Sequence, residues 1–181
     1  LFYYTNSVGS SLDGGRIALG GEWDNFTINV MDVDGDGKKD VLASRSDGSL
    51  VLYRSDGSGN FLSEPRATVG SSWGSATSVV PVTGFDGTGS RGLLARAPGG
   101  ALTYAAAADL NSPQAVGAGW DGWVLLGSQD LTHQPSIRSA SDVVTLDPAG
   151  LLWRFPATFA GGLAPRVRIG EDFSGPVWAA A

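Results

Sequence analysis

The sequence predicts an all-β fold assembled from one repeated unit, on three observations. Its 181 residues include 27 glycines and 9 prolines, spread so evenly that a helix of ordinary length hardly fits between them. A Gly-x-x-aromatic signal recurs as Gly20 to Trp23, Gly70 to Trp73, Gly117 to Trp120 and Gly170 to Phe173, the aromatics standing 50, 47 and 53 residues apart. An apolar strand behind a turn glycine recurs in step with it, as Gly48-Ser49-Leu50-Val51-Leu52-Tyr53, Gly100-Ala101-Leu102-Thr103-Tyr104 and Gly150-Leu151-Leu152-Trp153-Arg154-Phe155, and Leu1-Phe2-Tyr3-Tyr4 matches the same strand. The strand before that turn repeats too, as Asp40-Val41-Leu42-Ala43, Gly92-Leu93-Leu94-Ala95 and Asp142-Val143-Val144-Thr145. A fixed period of this size signals stacked or radial units.

In chain order, residues 1–25 supply only the last two strands of a unit, Leu1 to Tyr4 and Arg16 to Gly20. Residues 26–75 form a full unit, with strands expected over Phe26 to Val33, Asp40 to Ser46, Ser49 to Arg54 and Arg66 to Gly70. Asp47-Gly48 is a strong hairpin signal, and Asp56-Gly57 with Gly59-Asn60 marks a wider loop before the fourth strand. Residues 76–124 and 125–173 repeat the plan, and residues 174–181 add a first strand near Pro176 to Ala181. Four antiparallel strands per period, each unit closed by a bulky aromatic, is the arithmetic of a β-propeller blade, so the chain reads as one domain of about three and a half blades. Closed propellers use about four to eight blades. The expected partner is therefore another chain that completes the ring, either a second copy in a homodimer of seven or eight blades or a separate fragment or domain of a longer precursor.

Charge and composition exclude several functions. With 12 basic against 18 acidic residues, the chain repels a polyphosphate, which argues against nucleic acid. It has no cysteine, so thiolate metal sites, disulfides and cysteine nucleophiles are ruled out. No run of apolar residues reaches the roughly 18 that a membrane-spanning helix needs. A chain of this length can bury roughly 70% of its unfolded surface, enough for a core without covalent staples.

The densest chemistry lies in Asp32-Val33-Asp34-Gly35-Asp36-Gly37-Lys38-Lys39-Asp40. Carboxylates at its first, third, fifth and ninth positions can wrap one hard cation in oxygen ligands, and the expected cation is Ca2+. Asp32, Asp34 and Asp36 would each offer a side-chain oxygen, Lys38 its backbone carbonyl, and Asp40 the closing carboxylate. An EF-hand would carry Glu at the twelfth position of the loop, where Ala43 stands, and no amphipathic helix flanks it. The alternative is an Asp-Gly turn without metal, but a turn needs one or two such residues rather than four.

This loop, followed by Val41-Leu42-Ala43, then Asp47-Gly48-Ser49-Leu50-Val51-Leu52-Tyr53, then Gly70-Ser71-Ser72-Trp73, resembles the FG-GAP or VCBS repeat of bacterial secreted and cell-surface proteins, and its loop resembles that of integrin α-subunit propellers. The resemblance is strong over residues 22–73 and implies a secreted, calcium-stabilised propeller with ligands Asp32, Asp34, Asp36, Lys38 and Asp40. In the next unit Gly84-Phe85-Asp86-Gly87-Thr88-Gly89-Ser90-Arg91-Gly92 keeps only Asp86, and Gln134 through Ser141 keeps none of the pattern. One calcium site is expected.

Trp23, Trp73 and Trp120 read as packing wedges between blades in preference to sugar-stacking platforms. Trp123, Trp153 and Trp178 fall outside the repeat and are the better candidates for an exposed role. His133 has no Gly-x-Ser-x-Gly elbow beside it and reads as a loop residue. The functional expectation is a secreted module that binds a protein or a glycan. The alternatives are part of a propeller-type hydrolase or lyase, which would need perturbed polar groups in the central funnel, and an accessory domain of a larger secreted enzyme.

Overall fold

The computed structural model describes residues 1–4, 15–87, 89–129, 131 and 141–173, which contain 14 strands and no helix. Strands β1 (Phe2–Tyr4) and β2 (Arg16–Ala18) form a two-stranded antiparallel sheet. A four-stranded sheet follows, from β3 (Phe26–Met31), β4 (Asp40–Arg45), β5 (Leu50–Tyr53) and β6 (Ala67–Gly70). A second contains β7 (Ser78–Thr83), β8 (Arg91–Arg96), β9 (Leu102–Ala106) and β10 (Gln114–Gly117). A third contains β11 (Val124–Gln129), β12 (Asp142–Leu146), β13 (Leu152–Pro156) and β14 (Val167–Gly170). Within each, strands pair in chain order and antiparallel, and the three outer pairs carry a register shift at the same place, at Leu50/Val51, Ala115/Gly117 and Leu152/Trp153. The expected final strand at Pro176 to Ala181, together with Trp178 and His133, lies outside the described residues.

The sheets stack like blades. Strand β7 packs against β3 on one side and β11 on the other. Across the second contact the Leu125 N–H donates to Ser78 Oγ at 3.2 Å, the Ser128 hydroxyl to the Pro81 carbonyl, and the Ser141 N–H to the Thr83 carbonyl at 2.9 Å. Between the first two blades Leu42, Leu50 and Trp73 meet Leu93, Ala105 and Leu110. Between the second and third, Val82, Leu94 and Tyr104 meet Leu125, Val143 and Ala157. A strand covered on both faces needs apolar residues at consecutive positions instead of alternate ones, which is why Val41-Leu42-Ala43 and Leu93-Leu94-Ala95 are all buried. Each fully buried leucine contributes roughly 1.5–3 kcal/mol.

The repeat landmarks are one mechanical device. A Cβ built on Gly70 would lie 2.9 Å from Trp73 Nε1 and 3.0 Å from Leu50 Cδ1, and one on Gly170 would lie 2.8 Å from the Phe173 ring, so glycine stands where the aromatic three residues later folds back over the strand end. The aromatic's own N–H then donates to the turn glycine of the preceding hairpin, Trp73 to Gly48 at 3.1 Å, Trp120 to Gly100 at 3.0 Å and Phe173 to Gly150 at 3.1 Å. The two sequence signals stay in step because each unit hydrogen-bonds one to the other.

The wedges face the next blade. Trp23 packs against Tyr53 with ring centroids 4.7 Å apart and planes tilted by 47°, Trp120 against Phe155 at 4.7 Å and 51°, and Trp73, almost fully buried, donates its indole N–H to the Leu110 carbonyl at 2.9 Å. The expectation of packing wedges describes these three. Trp123 and Trp153 are half-buried, with the Arg166 guanidinium 5.3 Å and 4.1 Å from their rings.

Candidate metal centre

The loop 32–39 joins β3 to β4 at the start of the first blade. Its polar sequence folds on itself: Asp32 Oδ1 accepts the Gly35 N–H at 2.7 Å, Asp32 Oδ2 that of Gly37 at 3.2 Å, and Asp34 Oδ1 that of Asp36 at 3.1 Å. These short side-chain-to-backbone bonds are what Asp offers a turn, and they turn the carboxylates inward. Asp40 opens β4 and is fully buried, its oxygens accepting the Val33 N–H and the Ser55 N–H, both at 3.0 Å.

Asp32, Asp34 and Asp40 each place one carboxylate oxygen within 4.8 Å of the others. Calcium takes oxygens at about 2.3–2.6 Å, so oxygens sharing one ion stand up to about 5 Å apart, and this group fits such an ion. Without a cation each pair repels by about 3 kcal/mol at an effective dielectric of about 20. Two guanidinium groups offset part of this: Arg54 Nε lies 2.6 Å from Asp34 Oδ2, and Arg91, reaching across from the second blade, lies 3.2 Å from Asp32 Oδ2. The Asp34 carboxylate raises the Arg54 pKa.

The four expected carboxylate ligands are thus divided. Asp32, Asp34 and Asp40 converge, whereas the Asp36 carboxylate accepts the Lys38 N–H at 2.9 Å and its ammonium at 3.0 Å, and these contacts hold its pKa below the ordinary carboxylate value. Arg54 and Arg91 were not legible in the sequence, because they lie 20 and 59 residues from their partners and follow no spacing rule. A recess of about 490 Å3 opens beside the loop, between the two-stranded sheet and the first blade, lined by Tyr3, Ile28, Val30, Val41, Phe61 and Lys38 among others.

The later blades fill this position differently. In the second, Phe85 is fully buried and stacks on Tyr104 at 4.4 Å, and the Tyr104 hydroxyl donates to Asp86 at 3.0 Å. Burial first, then Asp86, raises the Tyr104 pKa far above its usual value. In the third, buried Asp142 accepts the Leu131 N–H at 3.1 Å and pairs with Arg154 at 3.3 Å.

Antiparallel four-stranded units stacked through aromatic wedges, with an acidic loop between the first and second strands of one of them, define a repeat protein with propeller-like blades. The family model for the FG-GAP-like repeat matches residues 32–90, so this stretch of the chain is similar to that repeat. The matched unit runs from the acidic loop of the first blade to the corresponding loop of the second. None of the curated proteins matches the chain.

Proposed function

We propose that this chain is a calcium-stabilised, extracellular interaction module of the β-propeller type that binds a protein or a glycan. The observation that carries the reading is the convergence of Asp32, Asp34 and Asp40 inside an FG-GAP repeat, a repeat that often binds Ca2+ and is typical of extracellular proteins. Asp32, Asp34 and Asp40 would hold the ion, with Asp36 and the Lys38 carbonyl as the remaining donors. Bound calcium supplies positive charge and a cross-link among the carboxylates. The residues do the positioning: Asp40 is tied to the amides of Val33 and Ser55, so the site joins the loop to β4 and to the end of β5. A blade locked in this way presents its loops rigidly, which lowers the ordering cost of binding a partner.

The test is thermal unfolding with calcium and with chelator. Ligand at about 100 times its Kd stabilises by about 2.7 kcal/mol, worth roughly 5–10 °C for a chain of this size. Asp34→Asn should remove that increment. Identical melting of the parent chain in calcium and in chelator overturns the metal assignment. Glycan-array screening in calcium, beside a pull-down from culture medium, tests the binding role, and failure of both to yield a ligand counts against it.

A further inference from the structure

Arg91 opens β8 in the second blade, yet its side chain ends in the acidic loop of the first. Its backbone is fixed, since Arg91 pairs with Thr83 across the ladder and its carbonyl accepts the Ala107 N–H at 2.7 Å. The guanidinium Nη1 donates to Asp32 Oδ2 at 3.2 Å, and Nη2 stands beside Gly35, where a Cβ would collide with it. The Asp32 side chain is only 12% exposed, so salt screens this pair less than it screens a pair in open water. Arg54, just past β5, places Nε 2.6 Å from Asp34 Oδ2 and Nη1 3.4 Å from Glu64.

These two arginines hold the carboxylates that a metal ion needs. Asp32, Asp34 and Asp40 bring three negative charges together, and Arg54 and Arg91 return two positive ones. Asp36, the fourth carboxylate, is matched by Lys38. Calcium affinity follows the charge of the ligand set, so each guanidinium lowers it. A tethered guanidinium also competes at a high effective concentration. A monovalent ion carries no more charge than the guanidinium it would displace, and it lacks the directed hydrogen bonds that strengthen the arginine pair. A divalent ion gains about twice as much from each carboxylate at a given distance.

Building on the calcium reading of this loop, we propose that Arg91, with Arg54, competes within the molecule for the cation site. The loop thereby rejects monovalent ions and admits a divalent ion only at a higher concentration than the bare carboxylates would need. Because Arg91 belongs to the second blade, occupancy of the first blade's loop is linked to the seam between the two. The linkage is reciprocal: the factor by which Arg91 weakens calcium binding is the factor by which calcium weakens the pair of Arg91 with Asp32.

Calorimetric titration of the whole chain with calcium at constant ionic strength tests this, using Arg91→Met to remove the charge and keep a long side chain. Groups that hold a metal ligand from behind alter affinity by about 10–100-fold, and the change expected for Arg91→Met is a gain of about tenfold. Arg91→Lys, which keeps the charge, should stay near the parent. A merely structural role for Arg91 would lower affinity on substitution, not raise it. Replacing choline chloride by sodium chloride should weaken calcium binding by Arg91→Met and leave the parent unchanged. If Arg91→Met loses its far-ultraviolet β signal, Arg54→Met should raise the affinity in its place. Calcium bound equally or more weakly by the folded variant, or a parent as sensitive to sodium as the variant, overturns the competition and leaves the calcium reading standing. Calcium bound by neither chain overturns both.

Discussion

The coupling between hairpin and wedge predicts different costs for two glycines with nearly the same backbone. Gly100 (φ 79°) and Gly119 (φ 84°) are both left-handed, but a Cβ on Gly119 meets nothing within 4 Å, whereas one on Gly100 falls 2.2 Å from the Asp121 nitrogen and 2.7 Å from that of Trp120. Alanine at either site carries the left-handed strain of roughly 1–2 kcal/mol, reduced by about 0.4–1 kcal/mol because alanine also restricts the unfolded chain. Gly119→Ala should therefore cost about 1 kcal/mol. Gly100→Ala adds displacement of the hairpin from the wedge, which breaks the Trp120 N–H bond to the Gly100 carbonyl, worth about 1 kcal/mol. It also unseats Trp120 from Phe155, for which a further 1–3 kcal/mol is a fraction of the roughly 3–5 kcal/mol that removing a buried tryptophan costs. The expected sum is about 3–5 kcal/mol. In thermal unfolding followed by circular dichroism at fixed calcium, Gly119→Ala should lower Tm by about 2–4 °C and Gly100→Ala by on the order of 10 °C. Equal shifts would refute the claim that the two landmarks form one device.

Three further outcomes are expected. Trp73→Phe keeps an aromatic wedge but leaves the buried Leu110 carbonyl without its indole donor, and urea unfolding should show a loss of about 1–3 kcal/mol. Arg154→Ala removes the partner of buried Asp142 and should cost about 3 kcal/mol, part of which Asp142→Asn in the same chain should restore, because the uncompensated charge is then gone. Acid should destabilise the fold: hydrogen bonds from Lys38, Ser49 and Ser58 hold Asp36, Asp47 and Asp56 below the ordinary carboxylate value. The unfolded chain then binds more protons than the folded one at low pH, so Tm should be level from about pH 7 to 5 and fall below about pH 4; a Tm indifferent to acid contradicts this.

The blades were legible because their signals are local and recur. A turn glycine, the strand after it and the Gly-x-x-aromatic corner lie within about fifty residues of one another, and each reflects backbone contact within one unit. The strand bounds came out within a residue or two for β4, β5 and β6, whereas β3 ends at Met31, two residues before Val33, because the chain there leaves the ladder for the loop. The acidic loop was legible as a set of oxygen donors, but not the orientation of each. Asp36 turns to Lys38 two residues away, a choice set by the local turn, and no pattern of Asp and Gly encodes it. Arg54 and Arg91 are brought to the loop by strand pairing and by the stacking of blades, which a one-dimensional reading does not contain.

The three blades fill one position at the foot of the second strand with different chemistry. Asp40 holds the position in the first blade and depends on its neighbours for compensating charge. Gly92 takes it in the second, because a Cβ there would lie 2.5 Å from the Tyr104 ring, and the ring with Phe85 replaces a charged site by an apolar one. Asp142 keeps the carboxylate in the third, and Arg154 supplies the cation from the adjacent strand. Of the described connections between first and second strands, only that of the first blade gathers three carboxylates, and the FG-GAP match begins at its Asp32 and stops at Ser90, just before β8. The fold therefore depends on the hairpin and the wedge, which every blade retains, while the acidic loop is a local addition that a ring or a guanidinium can replace without altering the sheet.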